Sequence, residues 1–174
     1  MIINREWAMP NKWTFQIQPI KRLLDSYVGN GIGWIDPFAG ENSPAEITND
    51  INSLMPTTYH DKAIDFVNRL DGQYNGILFD PPYSLRQVKE CYESQNIKLD
   101  YAETITYFSK LKSHLAGHIK YGGLAISFGW NSCGFGKVNG FEIIEILLVC
   151  HGGDHNDTIV TVERKIQDKL EATK

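Results

Sequence analysis

Gly76-Ile77-Leu78-Phe79-Asp80-Pro81-Pro82-Tyr83 is an apolar run that stops abruptly in an acid, two prolines and an aromatic ring. The run Ile77-Leu78-Phe79 reads as a parallel strand buried on both faces. Pro81 and Pro82 cannot extend it, since each lacks an N–H and has a fixed φ. Asp80 and Tyr83 therefore stand on a stiff bend at the carboxyl end of a strand, the edge at which open α/β sheets bind ligands.

The surrounding chain repeats this pattern. Ile32–Asp36 reads as a first strand, followed by the turn Pro37-Phe38-Ala39-Gly40-Glu41-Asn42. Ala45–Thr48 reads as a second strand ending at Asn49-Asp50, and Thr57–Tyr59 as a third running into His60-Asp61. Asp36, Asp50, Asp61 and Asp80 thus follow successive strands and share one edge. Helices are predicted over 15–27, 63–70 and 101–119 from their apolar spacing, with residues 84–100 a polar segment between them. A fifth strand, 124–128, leads into the glycine-rich loop 129–136, and 141–150 with 158–163 reads as a closing antiparallel hairpin. The expectation is a single α/β domain over 1–174: a seven-stranded, mostly parallel Rossmann-like sheet with one antiparallel strand and helices on both faces. Residues 1–14 read as an extended arm and 164–174 as a charged tail, and no separate target-recognition domain is expected.

Composition narrows the class. The 174 residues can bury a real core, and no apolar run is long enough to span a bilayer. The N-terminus does not read as a signal peptide. Cys91, Cys133 and Cys150 are widely spaced and odd in number, which points to a reducing cytoplasm. A net charge of −4 argues against a strong non-specific grip on nucleic acid. The turn after the first strand lacks both G-x-G-x-x-G and a P-loop lysine, and Glu41 would repel a phosphate there. An acid-lined edge suits a ligand bearing an ammonium or sulfonium and a ribose, with Asp50 placed to accept from ribose hydroxyls. His151, Asp154, His155 and Asp157 read as a polar hairpin tip rather than a metal site.

D-P-F-A-G at 36–40, N-D at 49–50 and D-P-P-Y at 80–83 resemble the S-adenosylmethionine-dependent amino-methyltransferases that act on adenine in nucleic acid. The likeness extends from Lys12-Trp13-Thr14-Phe15 to the closing hairpin. It is narrowest to the small adenine-specific DNA methylases of phages and mobile elements. One departure is Asn42, where that family's turn usually has a second glycine.

The resemblance implies roles. Asp36, Pro37, Phe38, Ala39 and Gly40 would shape the methionine pocket of S-adenosylmethionine, with Phe15 packed nearby. Asp50 would take the ribose and Asp61 the cofactor's adenine. Asp80 and the Pro81 carbonyl would accept the hydrogens of the target amino group, Pro82 would stiffen the bend, and Tyr83 would stack on the base. Trp130 and Asn131 after the fifth strand face the same cleft, Asn156 and Asp157 overhang it, and Arg86 is a phosphate-contact candidate with Lys12, Lys21, Arg22 and Lys89. The implied partner is DNA, with a homodimer or a specificity partner supplying what so short a chain lacks. Transfer to RNA adenine or a protein side-chain amide is an alternative activity, and a non-catalytic cofactor-binding subunit an alternative role.

Overall fold

A computed structural model describes residues 1–83, 85–95 and 101–167. Seven strands form one sheet: β1 (Ile2–Trp7), β2 (Trp34–Asp36), β3 (Ile47–Thr48), β4 (Tyr74–Phe79), β5 (Ile119–Gly129), β6 (Phe141–Cys150) and β7 (Thr158–Lys165), in the order β1-β6-β7-β5-β4-β2-β3. β7 is antiparallel to both its neighbours, and the other pairs are parallel. Every strand except β7 therefore points its carboxyl end at the same edge.

The centre of the sheet carries the core. Leu78 of β4 packs on one face with Ile20, Leu23 and Leu24 of α1 (Gln18–Tyr27). Ile77 and Phe79 pack on the other, against Phe66 and Val67 of α2 (Ala63–Arg69) and Leu111 and Leu115 of α4 (Tyr101–Gly117). A strand with helices on both faces must be apolar throughout, which is why the 77–79 run shows no alternation. Gly76 has a separate reason: a Cβ there would lie 2.5 Å from the ring of Trp34 on the adjacent strand.

Several expectations are corrected. Residues 2–7 are not a free arm but an edge strand paired with β6. All six residues are exposed, so no hydrophobic pattern marked them. Thr57–Tyr59 is not a strand: only one bridge, Asn49 to Tyr59, forms there. Side-chain oxygens take part of the bonding there, Thr57 Oγ1 donating to Tyr59 O and Thr58 N donating to Thr48 Oγ1, and such side-chain bonds compete with a ladder. The polar segment after Tyr83 contains a helix, α3 (Leu85–Ser94), with the pairs Arg86–Glu90 and Lys89–Glu93 one turn apart. The fourth helix stops at Gly117, and β5 begins at Ile119, ahead of the Gly122-Gly123 pair expected to precede it. The charged tail starts later than expected: Arg164 and Lys165 belong to β7, and buried Lys165 Nζ donates to the carbonyls of Ala116 in the last turn of α4 and of Ile119 just after it. Residues 168–174 lie outside the described residues. Among the described residues no helix is long and apolar enough to cross a membrane.

Candidate active site

A cavity of about 490 Å³ opens at the carboxyl edge of the sheet. Its floor is the turn after β2. Gly40 has φ +55°, a conformation that favours glycine, and a Cβ on it would sit tightly against the Trp13 ring at 3.2 Å. Phe38, Ala39 and Pro37 line the cavity beside it. Asn42, where a second glycine was expected, lines it too.

Asp36 does something other than line that cavity. It is fully buried beneath the turn, its carboxylate accepting from Phe38 N (2.9 Å) and from Ser43 Oγ (2.6 Å). Burial pushes its carboxyl up to about 7 against the pull of those two bonds, with the charges of Asp80 and Asp50 adding to the rise.

Asp50 and Asp61 both reach the cavity wall. Asp50 ties the turn to its own loop, accepting from Gly40 N (3.1 Å) and Asn52 N (2.8 Å). Asp61 pairs with Arg69 at 2.6 Å. Between them sits Asn49, almost fully buried. Its amide donates to the carbonyls of Pro37 and Asp61, and its oxygen accepts from Asp61 N. This residue locks three loops in register. Sequence reading passed it over as the neighbour of an acid.

At the β4 end of the cavity stand Asp80, Pro81, Pro82 and Tyr83. Tyr83 donates its hydroxyl hydrogen to Asp80 Oδ1 at 2.7 Å, and Gln87 of α3 accepts from Tyr83 N at 2.8 Å. The Tyr83 ring meets Trp130 edge-on, centroids 5.7 Å apart. Burial raises the Asp80 carboxyl to about 6, opposed by hydrogen bonds from Tyr83 and Thr14. Burial, with Asp80 beside it, pushes the Tyr83 phenol far above its ordinary range, so it remains a donor.

The N-terminal segment closes the cavity. β1 delivers it: Ala8 N donates to Cys150 O, and buried His151 donates from Nδ1 to Ala8 O at 2.9 Å while its Nε2 faces Thr158 Oγ1. A carbonyl can only accept, so Nδ1 carries the proton. With both nitrogens engaged, His151 has none left for a metal. Lys12, Trp13, Thr14 and Phe15 then line the cavity, Phe15 packed on Phe128 with centroids 5.1 Å apart. On the opposite side α3 contributes Gln87, Glu90, Cys91 and Tyr92, none of which sequence reading placed here.

The remaining candidates lie outside this cavity. Asn131 accepts from Cys133 N within the loop after β5, and Asp157 accepts from His151 N across the hairpin 151–157, on which Asn156 is exposed. Arg86 and Lys89 are held by Glu90 and Glu93, and Arg22 by Glu6. Exposed pairs of this kind contribute little and open readily to a better anion.

Two raised carboxyl groups fix a sign for stability. Asp36 and Asp80 bind protons more tightly in the folded chain than at their ordinary value of 3.8. The folded state thus holds the extra protons between about pH 4 and 7, and their contribution to stability falls as pH rises through that window. Asp36→Asn, which cannot ionise, is expected to gain several degrees of melting temperature over the parent between pH 5 and pH 8. A constant difference across that range would refute the assignment.

No protein-family model and no curated protein matches the chain. Solved structures do. TrmN from Thermus thermophilus superposes with a TM-score of 0.55 at 14% identity, over 86% of this chain and 49% of TrmN, so the chain spans about half its length. The protein yhhF from Escherichia coli, whose assignment as a methyltransferase is itself inferred, gives 0.53 at 11% identity over 92% of this chain and 91% of its own. The 1,6-didemethyltoxoflavin-N1-methyltransferase of Burkholderia thailandensis, solved with S-adenosylhomocysteine, gives 0.53 at 12% over 86% and 78%. At these identities the likeness speaks to architecture: the sheet has the Rossmann-like methyltransferase fold.

Proposed function

We propose that the chain is an S-adenosylmethionine-dependent methyltransferase, and that its target is the exocyclic 6-amino group of adenine in DNA. The observation that carries the reading is the Asp80–Tyr83 bend at the cavity: an acceptor carboxylate, rigid prolines and an aromatic wall of Tyr83 and Trp130 meet at one point.

The cavity fits the cofactor by chemistry. Asp50 and Asp61 supply acceptors for ribose hydroxyls and an adenine amine, Lys12 is a cation for a carboxylate, and the glycine turn admits a close approach at Gly40. A volume of about 490 Å³ lies within the range of small-molecule sites. When bound, S-adenosylmethionine supplies an electrophilic methyl group on sulfur.

An aromatic amine is a weak nucleophile because its lone pair is delocalised into the ring. Asp80 and the Pro81 carbonyl hold its two hydrogens and favour a pyramidal nitrogen with its lone pair free, which is orientation and preorganised electrostatics. After transfer the nitrogen is strongly acidic. Its N–H bond breaks with the electron pair left on nitrogen, and the proton passes to an Asp80 oxygen. Tyr83 and Trp130 present ring surface for a base that has left its helix. Asp at position 80 leans towards a base over a protein amide, and a second copy or a partner would supply sequence specificity.

Labelled methyl transfer to duplex DNA, single-stranded DNA, RNA and protein, with digestion to nucleosides, tests this. The expected product is 6-methyladenine in DNA. Label confined to RNA or protein would overturn the DNA assignment, and no label anywhere would favour a non-catalytic subunit.

A further inference from the structure

We propose that the hydroxyls of Thr14 and Tyr83 form a cradle that orients Asp80 and holds it as a proton-accepting carboxylate, with Thr14 a positioning residue supplied by the N-terminal segment. The inference rests on the reading of Asp80 as the acceptor of the target's amino hydrogens.

The geometry is specific. Tyr83 donates to Oδ1 of Asp80 at 2.7 Å, and Thr14 lines the same cavity beside them, its single hydroxyl hydrogen available to one of the two oxygens. Neither group is loose. Thr14 begins a short 3-10 turn whose next residue, Phe15, is buried against Phe128. Tyr83 is fixed through its N–H on Gln87 and its ring on Trp130. An ionised carboxylate has about four lone-pair directions, and the two hydroxyls take part of that capacity. What remains serves a ligand in the cavity that Asp80 lines.

Both hydroxyls act on the same balance. Desolvation favours the protonated acid. O–H donors to the carboxylate favour the ionised form instead. The other ionisable groups around the cavity are Lys12 of the N-terminal segment, Asp50 and Asp61 from the loops beyond β2, and Glu90, Cys91 and Tyr92 of α3. Apart from Tyr83, none of them makes a hydrogen bond to Asp80 among those described.

The cradle also narrows what the site accepts. A carboxylate held by two donors can only accept, so a ring nitrogen without hydrogen or a carbonyl oxygen finds no partner there. An amine or amide nitrogen does. Tyr83 thereby has two separable tasks: its ring faces the base, and its hydroxyl sets the state of Asp80.

The test is the titration of the Asp80 side-chain carboxyl by carbon-13 NMR in the ligand-free full chain, assigned by its loss in Asp80→Asn. Tyr83→Phe keeps the ring, and Thr14→Val keeps the shape of the side chain. Each is expected to move the Asp80 titration to higher pH, by roughly half to one pH unit per hydroxyl removed. Thr14→Ser restores the hydroxyl and is expected to return it to the parent position. The acidic limb of methyl transfer is expected to move in parallel, whereas loss of simple packing would lower the rate without moving the limb. An Asp80 titration unchanged in Tyr83→Phe overturns the cradle, even if Thr14→Val fails to fold. Shifted titrations in a protein that methylates no nitrogen would leave the cradle standing and remove the proposed function instead.

Discussion

Asp80→Ala is expected to lower the turnover of methyl transfer by at least about 10²–10³-fold, the usual loss for one preorganised partner of a transition state. Binding of S-adenosylmethionine, measured by calorimetry, is expected to change by only a few-fold. The separation follows from place. Asp80 ends β4, while the groups suited to the cofactor, Asp50, Asp61 and the glycine turn, lie beyond β2 on the far side of the cavity. Removing the carboxylate relieves a charge that burial raises to about 6 but strands the Tyr83 hydroxyl that donates to it. Asp80→Asn, which keeps the side-chain shape and an acceptor oxygen for Tyr83, is expected to lose turnover while melting close to the parent, and so separates loss of chemistry from loss of fold. Turnover equal to the parent would remove Asp80 from the mechanism.

Glu163→Ala is expected to show the largest stability loss, about 2–6 kcal/mol, from two buried backbone donors left unpaired at about 1–3 kcal/mol each. Glu163 of β7 is fully buried and accepts from Phe135 N and from Gly136 N (2.8 Å). On the other side of the same loop, Lys112 of α4 donates to Gly134 O at 2.7 Å and lies over the rings of Phe79 and Phe135. Burial pushes the Glu163 carboxyl up and the Lys112 ammonium down, and each opposes the other's shift. Alanine at 163 would leave two backbone donors without their acceptor and remove the negative charge that favours the half-buried Lys112 ammonium. Thermal melting should fall by about 10 °C, and Glu163→Gln, which keeps one acceptor oxygen, should fall less. A loss below about 1 kcal/mol would show that the loop is held by other means. The cleft is also involved: this clamp secures the chain just after Trp130, so a weakened loop also loosens the wall that faces Tyr83.

The sequence made plain those parts whose burial leaves a pattern. β4 is apolar on both faces, the apolar runs of β6 and β7 are joined by a short polar loop, and both were legible. β1 was not, because an edge strand exposed along its whole length has no alternation to read. α3 carried its signal in charge spacing, and that signal was obscured by a polar composition. Within the site, the acids at the strand ends looked alike on paper. Their fates differ: Asp36 turns inward to Ser43 and Phe38, Asp61 lines the cavity while paired with Arg69, and Asp50 and Asp80 line it with no ion pair among those described. Sequence spacing cannot separate these cases. Nor can it show Thr14, whose contact with Asp80 exists only because β1 crosses the far edge of the sheet to deliver it.

That crossing has a consequence for how the protein is made. β1 finds its ladder partner only in residues 145–150, with Asn4 bonded to Glu145 and Ala8 to Cys150. Contacts between such distant parts of a chain form late, since a long loop must close before any of them is gained. During synthesis, Lys12 to Phe15 leave the ribosome long before β6 and must wait for it before they can dock. A nascent chain that has not yet made β6 therefore has the acids but not the closed cavity.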